Sequence, residues 1–206
     1  MVMEDNSLKK IENLVNAELS SKILGTEINY GELLFKISIQ DILDVIKFLK
    51  FDKRLKFNQL IDIAAIDYPA SEKRFQIVYL LLSIENNNRI KISTQIDIKE
   101  QISSITKIFP SANWMEREVF DMYGIKFTNH PDLRRILTDY NFKGYPLRKD
   151  FPLTGFNEVR YSEKEKKVIY EPVKLEQNYR NFDFSSPWEG TKYQKEILQG
   201  EKNEKD

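Results

Sequence analysis

Phe75-Gln76-Ile77-Val78-Tyr79-Leu80-Leu81-Leu82-Ser83-Ile84 decides the fold. A run this apolar, flanked by charged and turn-forming residues, reads as a strand near the centre of a sheet, covered on both faces. It is far shorter than the ~20 residues a membrane-spanning helix needs. Glu85-Asn86-Asn87-Asn88 turns the chain, and Ile90 to Ile96 returns with Ile90, Ile92 and Ile96 on one face. On the other side, Gln59 to Asp67 is a β-rich run broken by Tyr68-Pro69-Ala70-Ser71. Three strands with such short connections predict an antiparallel meander.

Working outward, Ser7 to Leu24 predicts an amphipathic helix with a stripe of Leu8, Ile11, Val15, Leu19 and Ile23, ended by Gly25. Leu33, Phe35, Ile37 and Ile39 alternate with other residues as in a strand. Asp41 is placed to cap a helix that turns Ile42, Val45, Ile46 and Leu49 inward. Beyond the meander, Ile102, Ile105, Ile108 and Phe109 mark a short helix stopped at Pro110. The fold class is α+β: a mostly antiparallel sheet with helices on one face, followed by a long extended C-terminal arm. The strand order is left open by these patterns. The expected boundaries are a core domain over 1–124, a partner-binding arm over 125–189 and a charged tail over 190–206. Within the arm, Val159–Tyr161 and Val168–Tyr170 flank Glu163-Lys164-Glu165-Lys166 as a hairpin.

The stretch 113–155 is different in kind. Asn113 and Glu116 have the spacing of a capping box, and Met115, Val119, Met122 and Tyr123 recur at helical spacing up to Gly124. Arg117 and Asp121 lie four apart and are expected to pair. Pro131, Pro146 and Pro152 then forbid a long regular element, yet Phe127, Leu133, Ile136, Leu137, Tyr140, Phe142 and Tyr145 are too apolar for a disordered linker. Such a segment needs a packing surface, and a partner protein is a reasonable host. Residues 126–149 hold six Lys/Arg against two Asp, net +4, in a chain with 32 basic and 32 acidic residues.

Several classes are disfavoured. Balanced charge argues against a dedicated nucleic-acid or anionic-membrane binder. The chain has no cysteine and one histidine, so it offers neither thiolates for an iron–sulfur cluster nor a multi-histidine metal site. Gly124, Gly144 and Gly155 fit no phosphate-binding loop. Glu116, Glu118 and Asp121 could act as acid–base carboxylates, but capping and ion pairing account for such residues on a helix, and no nucleophile accompanies them. The Arg134-Arg135 and Arg148-Lys149 pairs with aromatics between them also fit a free RNA-binding module; a charged interface rim or a solvated loop is favoured. The N-terminus has neither a signal-peptide core nor an Arg-rich transit peptide, so the protein is expected to work where it is made or to be encoded in the organelle that uses it.

Glu116-Arg117-Glu118, Asp121-Met122-Tyr123-Gly124, His130-Pro131-Asp132-Leu133-Arg134-Arg135-Ile136-Leu137, Gly144-Tyr145-Pro146-Leu147-Arg148-Lys149-Asp150-Phe151-Pro152 and Phe182-Asp183-Phe184-Ser185-Ser186-Pro187-Trp188-Glu189 together resemble one family. It is the C-type subunit family of the proton-pumping NADH:quinone oxidoreductase, respiratory complex I, in its alphaproteobacterial or mitochondrially encoded form. The resemblance covers roughly 28–189. It implies a non-catalytic structural subunit of the peripheral arm, beside the D-type subunit that builds the quinone site, with FMN and Fe-S clusters on neighbouring subunits and no cofactor on this chain. It implies a peripheral position on the cytoplasmic face of the bacterial inner membrane, or the matrix face of the mitochondrial one, with no membrane span and no nucleic acid. The close alternative is the equivalent subunit of a related energy-converting dehydrogenase or hydrogenase. The expected partner-binding residues are Glu116, Arg117, Asp121, His130, Arg134, Arg135, Arg148, Lys149 and Trp188. No catalytic, cofactor or metal residue is expected.

Overall fold

The computed structural model describes the backbone of residues 2–177 and the side chains of residues 7–177. Helix α1 (Val2–Leu19) leads into strands β1 (Ile23–Asn29) and β2 (Glu32–Ile37), then helix α2 (Ile42–Phe51) and strands β3 (Gln59–Asp67), β4 (Phe75–Ser83) and β5 (Asn88–Ile96). Short strand β6 (Gln101–Ser103), helix α3 (Ala112–Tyr123) and short strand β7 (Lys126–Thr128) follow. The chain divides into two compact units, 1–155 and 156–206.

The main sheet has the order β1-β2-β5-β4-β3. The meander β3–β4–β5 is antiparallel as expected, and β1–β2 is an antiparallel hairpin. Its two-residue loop, Tyr30 and Gly31, has φ of 53° and 76°. These are the left-handed values that let a tight turn follow the twist of its strands. The hairpin joins the meander through a parallel pairing of β2 with β5, which sets Leu33 opposite Ile90 and Phe35 opposite Ile92. All four side chains are buried. The sheet is therefore mostly antiparallel with one parallel seam. That seam joins strands far apart in sequence, and no local pattern specifies it.

Burial alternates along β4: Phe75, Ile77, Tyr79, Leu81 and Ser83 are buried, while Gln76, Val78, Leu80 and Leu82 are only half-buried. Helices α1, α2 and α3 cover the first set. Leu8, Ile11 and Val15, then Ile42, Val45, Ile46 and Leu49, then Ala112 and Val119 enter the same core cluster as the inward residues of β2, β4 and β5. The expectation that β4 is covered on both faces is thus corrected: its apolar run fills one face and leaves the other half-open.

Three local expectations also change. Ile23 opens β1 rather than closing the first helix. Residues 101–109 form β6 and a turn rather than a helix, although Ile102, Ile105, Ile108 and Phe109 are all buried as their spacing suggested. Asp41 stands at the N-cap of α2 but makes no side-chain capping bond.

The second unit contains the hairpin β8 (Asn157–Ser162) and β9 (Lys167–Pro172), turned at 163–166 as expected. Val159 faces Tyr170 and Tyr161 faces Val168 across it, and all four are exposed. Phe182, Phe184 and Trp188 lie outside the described residues.

Candidate partner-binding site around helix α3

Helix α3 begins at Ala112, with Ser111 rather than Asn113 at its N-cap, and ends at Gly124 with φ of 79°. A β-carbon on Gly124 would lie 2.6 Å from both Arg148 Nη2 and Tyr145 Cζ. Glycine is therefore required twice, for its left-handed backbone and for its close approach to the segment that returns about twenty residues later.

Two polar residues of α3, Arg117 and Asp121, point at this returning segment. Asp121 is fully buried, and its Oδ2 accepts the backbone N–H groups of Ile136 (3.0 Å), Leu137 (2.7 Å) and Thr138 (2.9 Å). Its Oδ1 accepts Arg135 Nη1 at 2.8 Å and the Thr138 hydroxyl at 2.5 Å. Burial alone would push this carboxyl up. The Thr138 hydroxyl and the three backbone donors outweigh it and hold the group at about 2.

Arg117, expected to pair with Asp121, instead donates to the carbonyls of Arg134 (3.0 Å) and Arg135 (3.1 Å). The irregular segment presents a concentrated set of N–H and carbonyl groups, and side chains on the helix satisfy both kinds. This is why a stretch without regular structure can pack against a helix.

Arg135 also reaches the Gly144 carbonyl (3.0 Å) and lies over the rings of Phe142 (5.8 Å) and Tyr145 (5.2 Å). Arg148 donates from Nε to the Tyr123 carbonyl (2.7 Å) and stacks over Tyr145 at 4.3 Å and Phe75 at 5.3 Å. At the end of β3, buried Asp67 takes Arg74 on both oxygens (2.7 and 2.8 Å) and the N–H of Lys149 (2.7 Å). The Arg74 guanidinium holds the Asp67 carboxyl below its ordinary range. Arg74 also reaches Asp150 at 2.9 Å. Arg74 and Asp67 were absent from the expected site; they lie at and just beyond the facing ends of β3 and β4, far in sequence from the motif they anchor.

Glu116 is buried, and its Oε1 accepts the Ile105 N–H at 2.8 Å, not a capping bond. Burial raises its carboxyl to about 7, against the downward pull of the Ser104 hydroxyl and the Ile105 N–H. The His130 side chain is buried beside it. Arg134 is exposed and pairs with Asp132 at 2.8 Å. Lys149 is exposed, and its backbone makes the bond to Asp67. Trp188 lies outside the described residues.

The structure therefore brings Arg117, Asp121, Arg135 and Arg148 into one scaffold. Glu116, Asp121 and His130 face inward. What the scaffold displays is apolar: Leu137, Tyr140, Leu147 and Leu153 are exposed, Tyr140 at 90% and Leu153 at 81%, with Trp114 at 70% on α3. Each is an apolar residue held out to solvent on a fixed backbone, which is the composition of an interface anchor. Among the described residues no three His, Cys, Asp or Glu side chains converge as a metal site.

The sequence pattern of the family described as "Respiratory-chain NADH dehydrogenase, 30 Kd subunit" matches residues 35–157. A protein of Parvibaculum lavamentivorans, named as the C-type subunit of NADH-quinone oxidoreductase, is 52% identical over 92% of this chain and 94% of its own. Proteins of the same name from Mesorhizobium japonicum and Ruegeria pomeroyi are 49% and 50% identical, covering 97% and 95% of this chain and 98% and 96% of theirs. A chain in the solved structure of the membrane-bound sulfane sulfur reductase, an archaeal respiratory membrane complex, shares the fold with a TM-score of 0.63 at 23% identity, over 84% of this chain and 98% of that one. The chain belongs to the family of the 30 Kd subunit of respiratory-chain NADH dehydrogenase.

Proposed function

We propose that this protein is a non-catalytic structural subunit of the peripheral arm of NADH:quinone oxidoreductase. The observation that carries the reading is end-to-end identity near one half with several proteins named as the C-type subunit of that enzyme. The display of Leu137, Tyr140, Leu147 and Leu153 on a hydrogen-bonded scaffold supports it, because it supplies a fixed apolar surface for a neighbour. That neighbour is the D-type subunit of the quinone site. FMN and the Fe-S clusters belong to other subunits, and this chain binds none of them; with no cysteine it has no thiolate ligand to offer. The assembled enzyme passes electrons from NADH to quinone. No described helix is long and apolar enough to cross a membrane, and the chain is held peripherally, on the cytoplasmic face in a bacterium.

Native electrophoresis of membranes solubilised in mild detergent tests this. The chain is expected to migrate with a large band that oxidises NADH and to stay there through a salt wash. Its migration at its own mass, while the NADH-oxidising band remains intact, would overturn the reading.

A further inference from the structure

Glu116 joins two segments of the fold. It projects from α3, and its Oε1 accepts the Ile105 N–H of the turn after β6 at 2.8 Å. Its other oxygen, Oε2, is buried with no hydrogen-bond partner. Three groups face it. From β4 comes the Tyr79 hydroxyl, also buried and unpartnered. From the residue just after β6 comes the Ser104 hydroxyl. From the loop after β7 comes His130, whose Nε2 lies 3.8 Å from Oε2, too long for a hydrogen bond. The Glu116 and His130 side chains are both entirely buried.

The tautomer of His130 follows from its partners. The Asp132 N–H donates to Nδ1 at 3.0 Å, so Nδ1 carries no proton. Nε2 therefore carries it, and donates to the Asn113 carbonyl at 3.1 Å. Asn113 lies in the first turn of α3, where its carbonyl has a helical acceptor role as well. Losing the bond from His130 would not leave it unsatisfied.

A neutral carboxyl suits this enclosure. A carboxylate does not, unless its unpartnered oxygen gains a donor. The donors that face it are the Tyr79 and Ser104 hydroxyls and His130 Nε2–H; of these His130 is the one carried on a loop, and a ring movement of about 1 Å would bring its Nε2–H to hydrogen-bond distance. We propose that His130 is a two-position latch governed by the proton on Glu116. With Glu116 protonated, Nε2–H donates to Asn113. When Glu116 releases its proton to solvent, Nε2–H swings to Oε2 and draws the loop 129–132 onto α3. That loop leads into the segment held by Asp121, so the latch would set how firmly the segment is seated. The Glu116 carboxyl lies near 7, which places the exchange within the range of a cell.

The chain contains a single histidine, so one pair of ring nitrogen signals reports the latch without ambiguity. The full-length chain, labelled with nitrogen-15 and carbon-13, would be titrated from about pH 5 to about pH 9 by NMR. The expected result is read at the ring nitrogen that faces Glu116. The Nε2 signal should make one step with the same midpoint as the Glu116 side-chain carboxyl carbon, and Glu116→Gln should remove that step. A neutral ring in the Nδ1–H tautomer, or a midpoint different from that of Glu116, would overturn the latch. The two midpoints in the unaltered chain decide the matter even if Glu116→Gln fails to fold.

Discussion

Asp121 on α3 stands inside the turn 136–138 in the place of a bound anion, and Arg135 closes it from the opposite side at 2.8 Å. One carboxylate thus fixes a segment that has no regular structure of its own. Replacing Asp121 by Ala leaves three inward N–H groups and the Arg135 charge without their acceptor. Breaking such a pair from one side costs about 3–5 kcal/mol. The expected outcome for Asp121→Ala is a large fall in the urea midpoint of the isolated chain and early proteolysis within 133–145. Cleavage unchanged from the unaltered chain would show that the segment is held by other contacts.

Arg135→Lys addresses the shape of the cation rather than its charge. The guanidinium serves Asp121, Thr138 and the Gly144 carbonyl at once and lies over two rings. An ammonium is a point donor and does not reproduce that fork. Both Arg135→Ala and Arg135→Lys should lower the amount of assembled NADH-oxidising complex, Ala more so. Turnover per assembled complex should stay near normal, since the side chain is committed to this chain's own scaffold. Normal assembly with a large fall in turnover would place Arg135 at the chemistry instead.

Glu116 predicts an unusual pH dependence. Its folded carboxyl lies near 7, above the ordinary value of 4.5. A group raised in this way contributes stability that is fully present below 4.5 and is lost as pH rises through 7. The loss amounts to about 3 kcal/mol. Asp67 and Asp121 are depressed, so their contributions change only at more acidic pH and do not overlap this window. Urea unfolding should give a lower stability at about pH 8 than at about pH 5, and Glu116→Gln should flatten the difference. Equal slopes in the two proteins would remove Glu116 from the account.

Two glycines with nearly the same backbone separate strain from crowding. Gly31 has φ of 76° and open space where a β-carbon would stand, whereas Gly124 has φ of 79° with Arg148 and Tyr145 at 2.6 Å from that position. Gly31→Ala should cost only the left-handed backbone, about 1–2 kcal/mol. Gly124→Ala should cost more, because the ring and guanidinium must also move. Equal melting temperatures for the two variants would show that the 145–148 segment yields freely.

The helical stripe of Ile42, Val45, Ile46 and Leu49 and the alternation in β3 to β5 were legible because one core face dictates each period. Ile23 misled because it extends the stripe of α1 by one step of four while belonging to the next strand. Residues 102–109 misled likewise: the burial was right and the period was coincidental. The site divides in the same way. Arg135 and Arg148 were legible as members of the quoted motif. Their partners were not, because Asp121 prefers an arginine fourteen residues away to the one at helical spacing, and Asp67 is brought in by the sheet. Spacing along a helix states which pairs can form, and tertiary structure decides which do.

The last prediction concerns the displayed side chains. Tyr140 and Leu153 are almost fully exposed, so truncating them removes little burial within this chain. Tyr140→Ala and Leu153→Ala should each change the stability of the isolated protein by less than about 0.5 kcal/mol, as surface substitutions do. If these side chains anchor a neighbouring subunit, each loses a desolvated contact there, at a cost of about 2 kcal/mol or more for a central one. The double variant should therefore fold with an unchanged melting temperature yet fail to hold its place in the detergent-solubilised complex, leaving a smaller pool of assembled enzyme. Asp121→Ala serves as the contrast, since it should lower both stability and assembly. Full assembly of the Tyr140→Ala, Leu153→Ala chain would show that the neighbour docks elsewhere. The exposed hairpin face of Val159, Tyr161, Val168 and Tyr170 would then be the next surface to truncate.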